Sequence, residues 1–272
     1  MSGLPAEGGL LPVGGVAWRI NREAVVLAGG SCALLLQLAH PAVAAGVAEH
    51  SDFGSRPFGR LRRTLVASYA IAFGSAPGAD RAIQRLNAIH AAVRGVEPDS
   101  GRSYHALDSD LQLWVHATLV DTAARVYDRF VAPLTSAEAD AFVREMHAPA
   151  IALGIHAPDL PDSLADLRTW MAERVATGEV RVGALARSLL PAVLYPIPVI
   201  PRWLWDAGHL ISLSTLDPGI RRQYGLGWSG SRERGVEQLA RTSRRVVPLL
   251  PDGLRVVPQA RASEGPRGST GS

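Results

Sequence analysis

His90 stands in the stretch Asn87-Ala88-Ile89-His90-Ala91-Ala92-Val93-Arg94-Gly95, a short way downstream of Gly59-Arg60-Leu61-Arg62-Arg63-Thr64. A neutral imidazole can give a lone pair to a metal, and guanidiniums beside a hydroxyl bind anions or polarised oxygen. Residues 57–75 and 79–94 read as two helices joined by Gly74-Ser75-Ala76-Pro77-Gly78, whose glycines and proline interrupt the periodicity. Counted back from the middle of that loop at about 1.5 Å per residue, Arg63 and Thr64 fall within about one turn of the height of His90. The three side chains can address one ligand.

His90 shares its helical stripe with Ile83, Leu86 and Val93, which aims it at the buried side. Arg60, Arg63, Thr64, Ala67, Ser68 and Ile71 fall along one stripe of the preceding helix, so cationic groups and a hydroxyl run into a surface of small residues. Spacing leaves two readings open. One is an iron ligand facing a cationic pocket; the other is a core histidine satisfied by a backbone carbonyl, beside a solvated arginine face.

Several further motifs stand in order along the chain: Leu36-Gln37-Leu38-Ala39-His40-Pro41-Ala42-Val43-Ala44-Ala45-Gly46-Val47, then Glu49-His50-Ser51, and later Leu113-Trp114-Val115-His116-Ala117-Thr118-Leu119. With the Arg60/Thr64 helix and the Ile89-His90 helix ending in Arg94-Gly95, they resemble the MpaB / latex-clearing protein (rubber oxygenase) catalytic-domain family over about residues 15–255. The resemblance implies an all-α fold, a single large multi-helix domain enclosing a haem pocket, with haem b (iron) as cofactor and O2 and an apolar small molecule as partners. By motif, His90 matches the family's proximal iron ligand, and Arg60 and Thr64 match its distal haem-pocket positions.

Arg63 departs from the pattern, since it stands where the latex-clearing branch has a lysine able to cap the iron. A guanidinium keeps its proton and is a poor ligand, so the resting iron is expected five-coordinate or water-bound. A distal glutamate serves the rubber-cleaving members as acid/base; Glu49 is the nearest carboxylate before Arg60 and is carried as a candidate without a spacing match. Thr118 is a further candidate for the cofactor pocket, with Asp121 on the same side of its helix, although helix-to-helix hydrogen bonding explains Asp121 and His116 equally well. The imidazole nitrogen of His90 that does not face iron should meet a carbonyl or carboxylate. Directly packed helices sit about 8–10 Å apart, so a macrocycle beside His90 requires the two helices to part there.

The implied activity is a haem-dependent oxygenase acting on an isoprenoid or otherwise unsaturated substrate, with oxidative cleavage of C=C the leading case. Two other readings share the chain: a non-catalytic haem-binding or sensing protein, and a cofactor-free helical interaction protein. Other chemistries lack their residues. There is no Glu-x-x-His tetrad for a di-iron bundle and no His-Glu-x-x-His for zinc. All 28 basic residues are arginine, which removes lysine-dependent phosphate loops and Schiff bases. Gly225-x-Gly227-x-x-Gly230 follows an arginine-rich helical segment instead of a strand and reads as a turn.

With 272 residues, 47% of them hydrophobic, the chain can bury a substantial core, and a net charge of +3 spread among 25 acidic residues gives no nucleic-acid footprint. One cysteine, Cys32, allows no internal disulfide and suits a cytoplasmic setting, and the first residues show no secretory signal. The uncharged stretch 24–48 is divided by Gly29-Gly30, Gln37 and His40-Pro41 and reads as a buried hairpin, not a membrane span. Leu189 to Pro201 holds four prolines and cannot form one continuous helix; it reads as a lid over an apolar channel or an extended core crossing. The expected organisation is a flexible segment at 1–14, the helical domain at 15–257 and a disordered tail at 258–272, with no strand. Helices are expected at 19–28, 32–39, 41–49, 109–130, 136–153, 164–176, 182–190, 202–213 and 232–246, with a capping box at Thr135-Ser136-Ala137-Glu138.

Overall fold

Residues 109–130 are apolar on most of their circumference, and such a helix is stable only inside other elements. A computed structural model, describing residues 9–51, 57–197 and 199–263 (only the backbone at 57, 58, 60–62 and 207), places it there. In chain order the elements are α1 (Val16–Asn21), a 3-10 turn at Ala24–Gly29, α2 (Gly30–Leu38), α3 (Pro41–His50), α4 (Pro57–Phe73), α5 (Ala76–Ala92), β1 (Arg94–Val96), β2 (Ser103–His105), α6 (Ser109–Phe130), α7 (Ser136–Glu145), α8 (His147–Leu153), α9 (Leu164–Ala176), α10 (Ala184–Leu194), α11 (Arg202–Thr215), α12 (Pro218–Gln223), α13 (Gly230–Val246), α14 (Asp252–Arg255) and α15 (Pro258–Ser263). The fold is all-α apart from the antiparallel β1–β2 ladder, which pairs Arg94 with His105 and Val96 with Ser103.

α6 buries Leu113, Trp114, Val120, Val126 and Phe130 among α2, α9 and α13. α2 is largely apolar and mostly buried, with Cys32, Leu35 and Leu38 at zero exposure. It can approach α6 closely because a Cβ on Gly29 would stand 2.6 Å from Cγ2 of Thr122. The last carbonyls of a helix lack intrahelical partners, and here the Trp114 indole donates to Leu36 O at 3.1 Å and the Tyr224 hydroxyl to Leu35 O at 2.9 Å. His40, held extended before Pro41, then turns the chain, so residues 24–38 and Pro41–His50 meet at 105°. Among the described residues no single helix is long and apolar enough to cross a membrane.

Several expectations change. The strands were not foreseen, since three-residue ladders carry no usable alternation. The helix expected over 136–153 breaks at Met146, because Pro149 cannot donate to the carbonyl four residues before it. α1 and the 3-10 turn stand where one helix was expected over 19–28. Residues 9–14 are docked, with Leu10 donating to Ile71 O at 3.2 Å, while residues 1–8 lie outside the described part. Pro258–Ser263, expected within the tail, is a helix against α4 with Ala260 fully buried; residues 264–272 lie outside the described part. The segment after α1 is tied to α14 where Arg255 holds the buried Glu23 carboxylate through Nε at 2.9 Å and Nη2 at 2.8 Å.

Candidate functional site

α4 stops where the Gly74 amide returns to Ala70 O at 3.0 Å, and α5 starts at once on extended Ser75 with Pro77 in its first turn. At this tight end of the hairpin Ile71 and Ile83 are buried with Leu10, and Phe73 meets the Trp18 ring edge-on at 4.8 Å between centroids. The far end is uncovered: Val66 and Ile89 are each 53% exposed, and Arg63, Thr64 and Ser68 face solvent. The side chain of Arg60 lies outside the described part.

His90 sits in the last turn of α5 at that open end, half-buried. Its Nδ1 is shielded and has no hydrogen-bond partner, and Oδ1 of Asn87, one turn earlier, is in the same condition. Burial pushes the imidazole below its ordinary pKa, so the ring is neutral near pH 7 and keeps a lone pair on one nitrogen. The carbonyl or carboxylate expected beside it is not found at Nδ1. The carbonyls that follow in sequence serve other rings: Nε2 of His105 donates to Ala91 O at 3.3 Å, and Nε2 of His50 to Arg94 O at 3.1 Å. Because a carbonyl only accepts, both of those Nε2 atoms carry a proton.

Glu49, near the C-terminus of α3, comes to the same end of α5. It accepts from the Tyr104 hydroxyl at 2.7 Å, and β1–β2 pairing sets Tyr104 opposite Gly95. A Cβ at Gly95 would lie 2.6 Å from Glu49 Oε2 and 2.8 Å from the Tyr104 hydroxyl, so glycine is what lets this pair cross the strand. Burial, with the Glu49 carboxylate, raises the phenol pKa and keeps Tyr104 a donor. Glu49, His50, Tyr104 and His105 thus gather on residues 91–95, just past His90. Tyr104 and His105 were missed in the sequence because their strand was missed; the signal was the glycine of Arg94-Gly95 and the turn at Gly101.

Thr118 is elsewhere, at zero exposure in the contact between α2 and α6, accepting from Gln37 Nε2 at 3.2 Å and donating to Val115 O at 2.7 Å. Asp121 is clasped by Arg125 at 2.6 Å and Arg168 at 2.7 Å. His116 is buried among the same helices, and burial lowers its pKa to about 4. Cys32 is buried, its thiol pushed up to about 12, which makes it packing and not a thiolate ligand. Among the described residues no three His, Cys, Asp or Glu side chains converge as a metal site. A cavity of about 460 Å³ opens between α10, α11 and the segment before α13.

Residues 18–245, from α1 into the last turn of α13, match the family described as ER-bound oxygenase mpaB/B'/Rubber oxygenase, catalytic domain. Uncharacterized protein Mb2261 of Mycobacterium bovis and Uncharacterized protein Rv2237 of Mycobacterium tuberculosis are each 30% identical over 234 residues, covering 80% of this chain and 87% of each relative. No solved structure matches. The matched span contains His90, the arginine-bearing face of α4 and Glu49, and the chain belongs to this family of oxygenases.

Proposed function

We propose that this chain is a haem b-dependent oxygenase acting on an apolar, unsaturated substrate, isoprenoid in the leading case, with oxidative cleavage of a C=C bond to two carbonyls as the leading reaction. The observation that carries the reading is the His90 imidazole: neutral by burial, with one shielded nitrogen lacking any partner, on a helix inside the matched span. A polar atom left buried in this way costs about 1–3 kcal/mol, and a ligand on the ring is one explanation that would offset it. A second support is that Val66 and Ile89 leave apolar surface uncovered at the same end of the hairpin, where an apolar group could rest.

In this reading His90 would be the single protein donor to iron, and the haem when bound would supply the activation of O2. Arg60 would pair with a propionate or orient the distal side, and Thr64 would offer a hydroxyl to oxygen or water in the pocket. Arg63 contributes positive charge without competing for the metal. Glu49, held by Tyr104, is the carboxylate poised for proton handling at the end of α5.

The test is an absorption spectrum of protein from haem-supplemented cells, followed by oxygen uptake with an oligoisoprenoid. A Soret band and substrate-dependent uptake are expected, and His90→Ala should lose the band. A band without uptake would make the chain a haem-binding or sensing protein; colourless wild type would make it a cofactor-free helical protein; an unchanged band in His90→Ala would remove the ligand assignment.

A further inference from the structure

We infer that the segment joining α13 to α15 docks this protein on an anionic phospholipid surface. Its two leucines stand in solvent, Leu249 at 82% exposure and Leu254 at 70%. The segment is fastened at both ends and bare between them. Val247 is buried in the main core at one end; Val256 and Val257 are buried at the other, where the Val257 amide donates to Arg22 O at 2.9 Å. Pro248 and Pro251 restrict the backbone on either side of Leu249-Leu250. The Leu250 amide returns to Val247 O at 3.2 Å, and the Arg255 amide to Pro251 O at 3.1 Å. Leucines held outward on a constrained backbone lose little conformational freedom when a partner buries them.

The charge around them is positive. Asp252, within the segment, stands 3.9 Å from Nη2 of Arg22, and Arg255 is taken by the buried Glu23 carboxylate. Those two pairs cancel, and three guanidiniums remain. Arg244 and Arg245 end α13, which runs on into the turn at Val247–Leu249, so that Arg245 and Leu249 are about one turn apart. Arg261, on α15, has Nη1 3.8 Å from where a Cβ on Gly253 would stand, beside Leu254. Arg244 donates to the Asp128 carbonyl at 2.6 Å, which leaves its charge in place. Among the described residues no ion pair joins Arg245 or Arg261 to an acid.

Apolar tips among uncompensated arginines match a bilayer interface. Leucine enters the boundary of the acyl chains, and each guanidinium stays among the phosphates on its long stem. A second copy of this chain matches less well, because a two-fold pairing of the segment sets arginines against arginines. Residues 264–272, which follow, contain no large apolar side chain to cover the leucines. α15 packs on α4, so docking here sets the first helix of the His90 hairpin close to the surface in which an apolar substrate dissolves. The docking itself requires neither haem nor turnover.

The test is flotation of the full chain, without added haem, with vesicles of phosphatidylcholine alone or mixed with phosphatidylglycerol. Binding to the mixed vesicles should be at least about tenfold tighter, as two or more arginines at an anionic surface require, and should weaken as salt is raised. Leu249→Asp combined with Leu254→Asp should weaken it at least about tenfold. Arg245→Gln combined with Arg261→Gln should bring the mixed vesicles down towards the level of phosphatidylcholine. All four positions are exposed, so the melting temperature should not move. Val199→Asp, at an exposed apolar position before α11, is the control and should bind as wild type does. Equal binding to both kinds of vesicle, binding to neither, a leucine double variant that binds as wild type does, or a loss as large in Val199→Asp would each overturn the assignment. So would a dimer in solution that the leucine substitutions dissociate, which would give the segment to a second copy of the chain.

Discussion

On α6, the Thr118 hydroxyl is engaged by Gln37 and Val115, Asp121 lies between two arginines, and the Trp114 indole closes the end of α2. On α5, Nδ1 of His90 and Oδ1 of Asn87 are shielded and have no partner. Both helices place polar residues on apolar faces; α6 gives Trp114, Thr118 and Asp121 partners and leaves Oε1 of Gln112 without one, whereas on α5 the partnerless atoms are those of His90 and Asn87. The difference marks Trp114, Thr118 and Asp121 as residues that hold this fold, and under the proposed function it marks His90 as the residue kept for a ligand.

Trp114→Ala should have the largest effect on the core side, costing about 3–5 kcal/mol because it opens a cavity between α2 and α6. Urea unfolding measures it, and a loss below about 1 kcal/mol would mean α6 does not organise the core. The next effect is set by pH. The His116 pKa is lowered from 6.5 to about 4 by burial, so the unfolded chain binds the proton first as pH falls. That contribution is complete above about pH 6.5 and is lost towards pH 4, a change of about 3 kcal/mol. His116→Leu should flatten this part of the stability curve; an unchanged slope would assign it to other groups. Thr118→Val should cost about 1–3 kcal/mol by stranding the Gln37 amide, without altering haem content. Loss of haem in that variant with stability unchanged would move Thr118 from the core to the cofactor.

Where local chemistry decides, the sequence was readable. The Thr135 capping box forms with Glu138 N donating to Oγ1 at 3.2 Å and Glu138 Oε2 accepting from Thr135 N at 2.9 Å. The periodic runs Ser109–Phe130 and Leu164–Ala176 stand as expected, and Gly225, at φ +72°, lies in a turn after α12. What failed depends on contacts distant in sequence. Ala260 makes 258–263 a helix only by burying against other elements, and the β1–β2 ladder exists because Gly95 admits Tyr104 and Glu49. At the site, the helical hairpin and the inward stripe of His90 followed from periodicity. The gathering of Glu49, His50, Tyr104 and His105 past His90 did not, nor did the cavity beside His209, because both join residues brought together only by tertiary packing.

The central claim is most directly tested by removing the His90 ring while keeping the helix and then returning imidazole in solution. His90→Gly should purify without a Soret band, keep a melting temperature within a few degrees of wild type, and regain the band and oxygen uptake when imidazole is added with haem. A His90→Gly protein that retains haem as wild type does, with or without imidazole, would contradict the account.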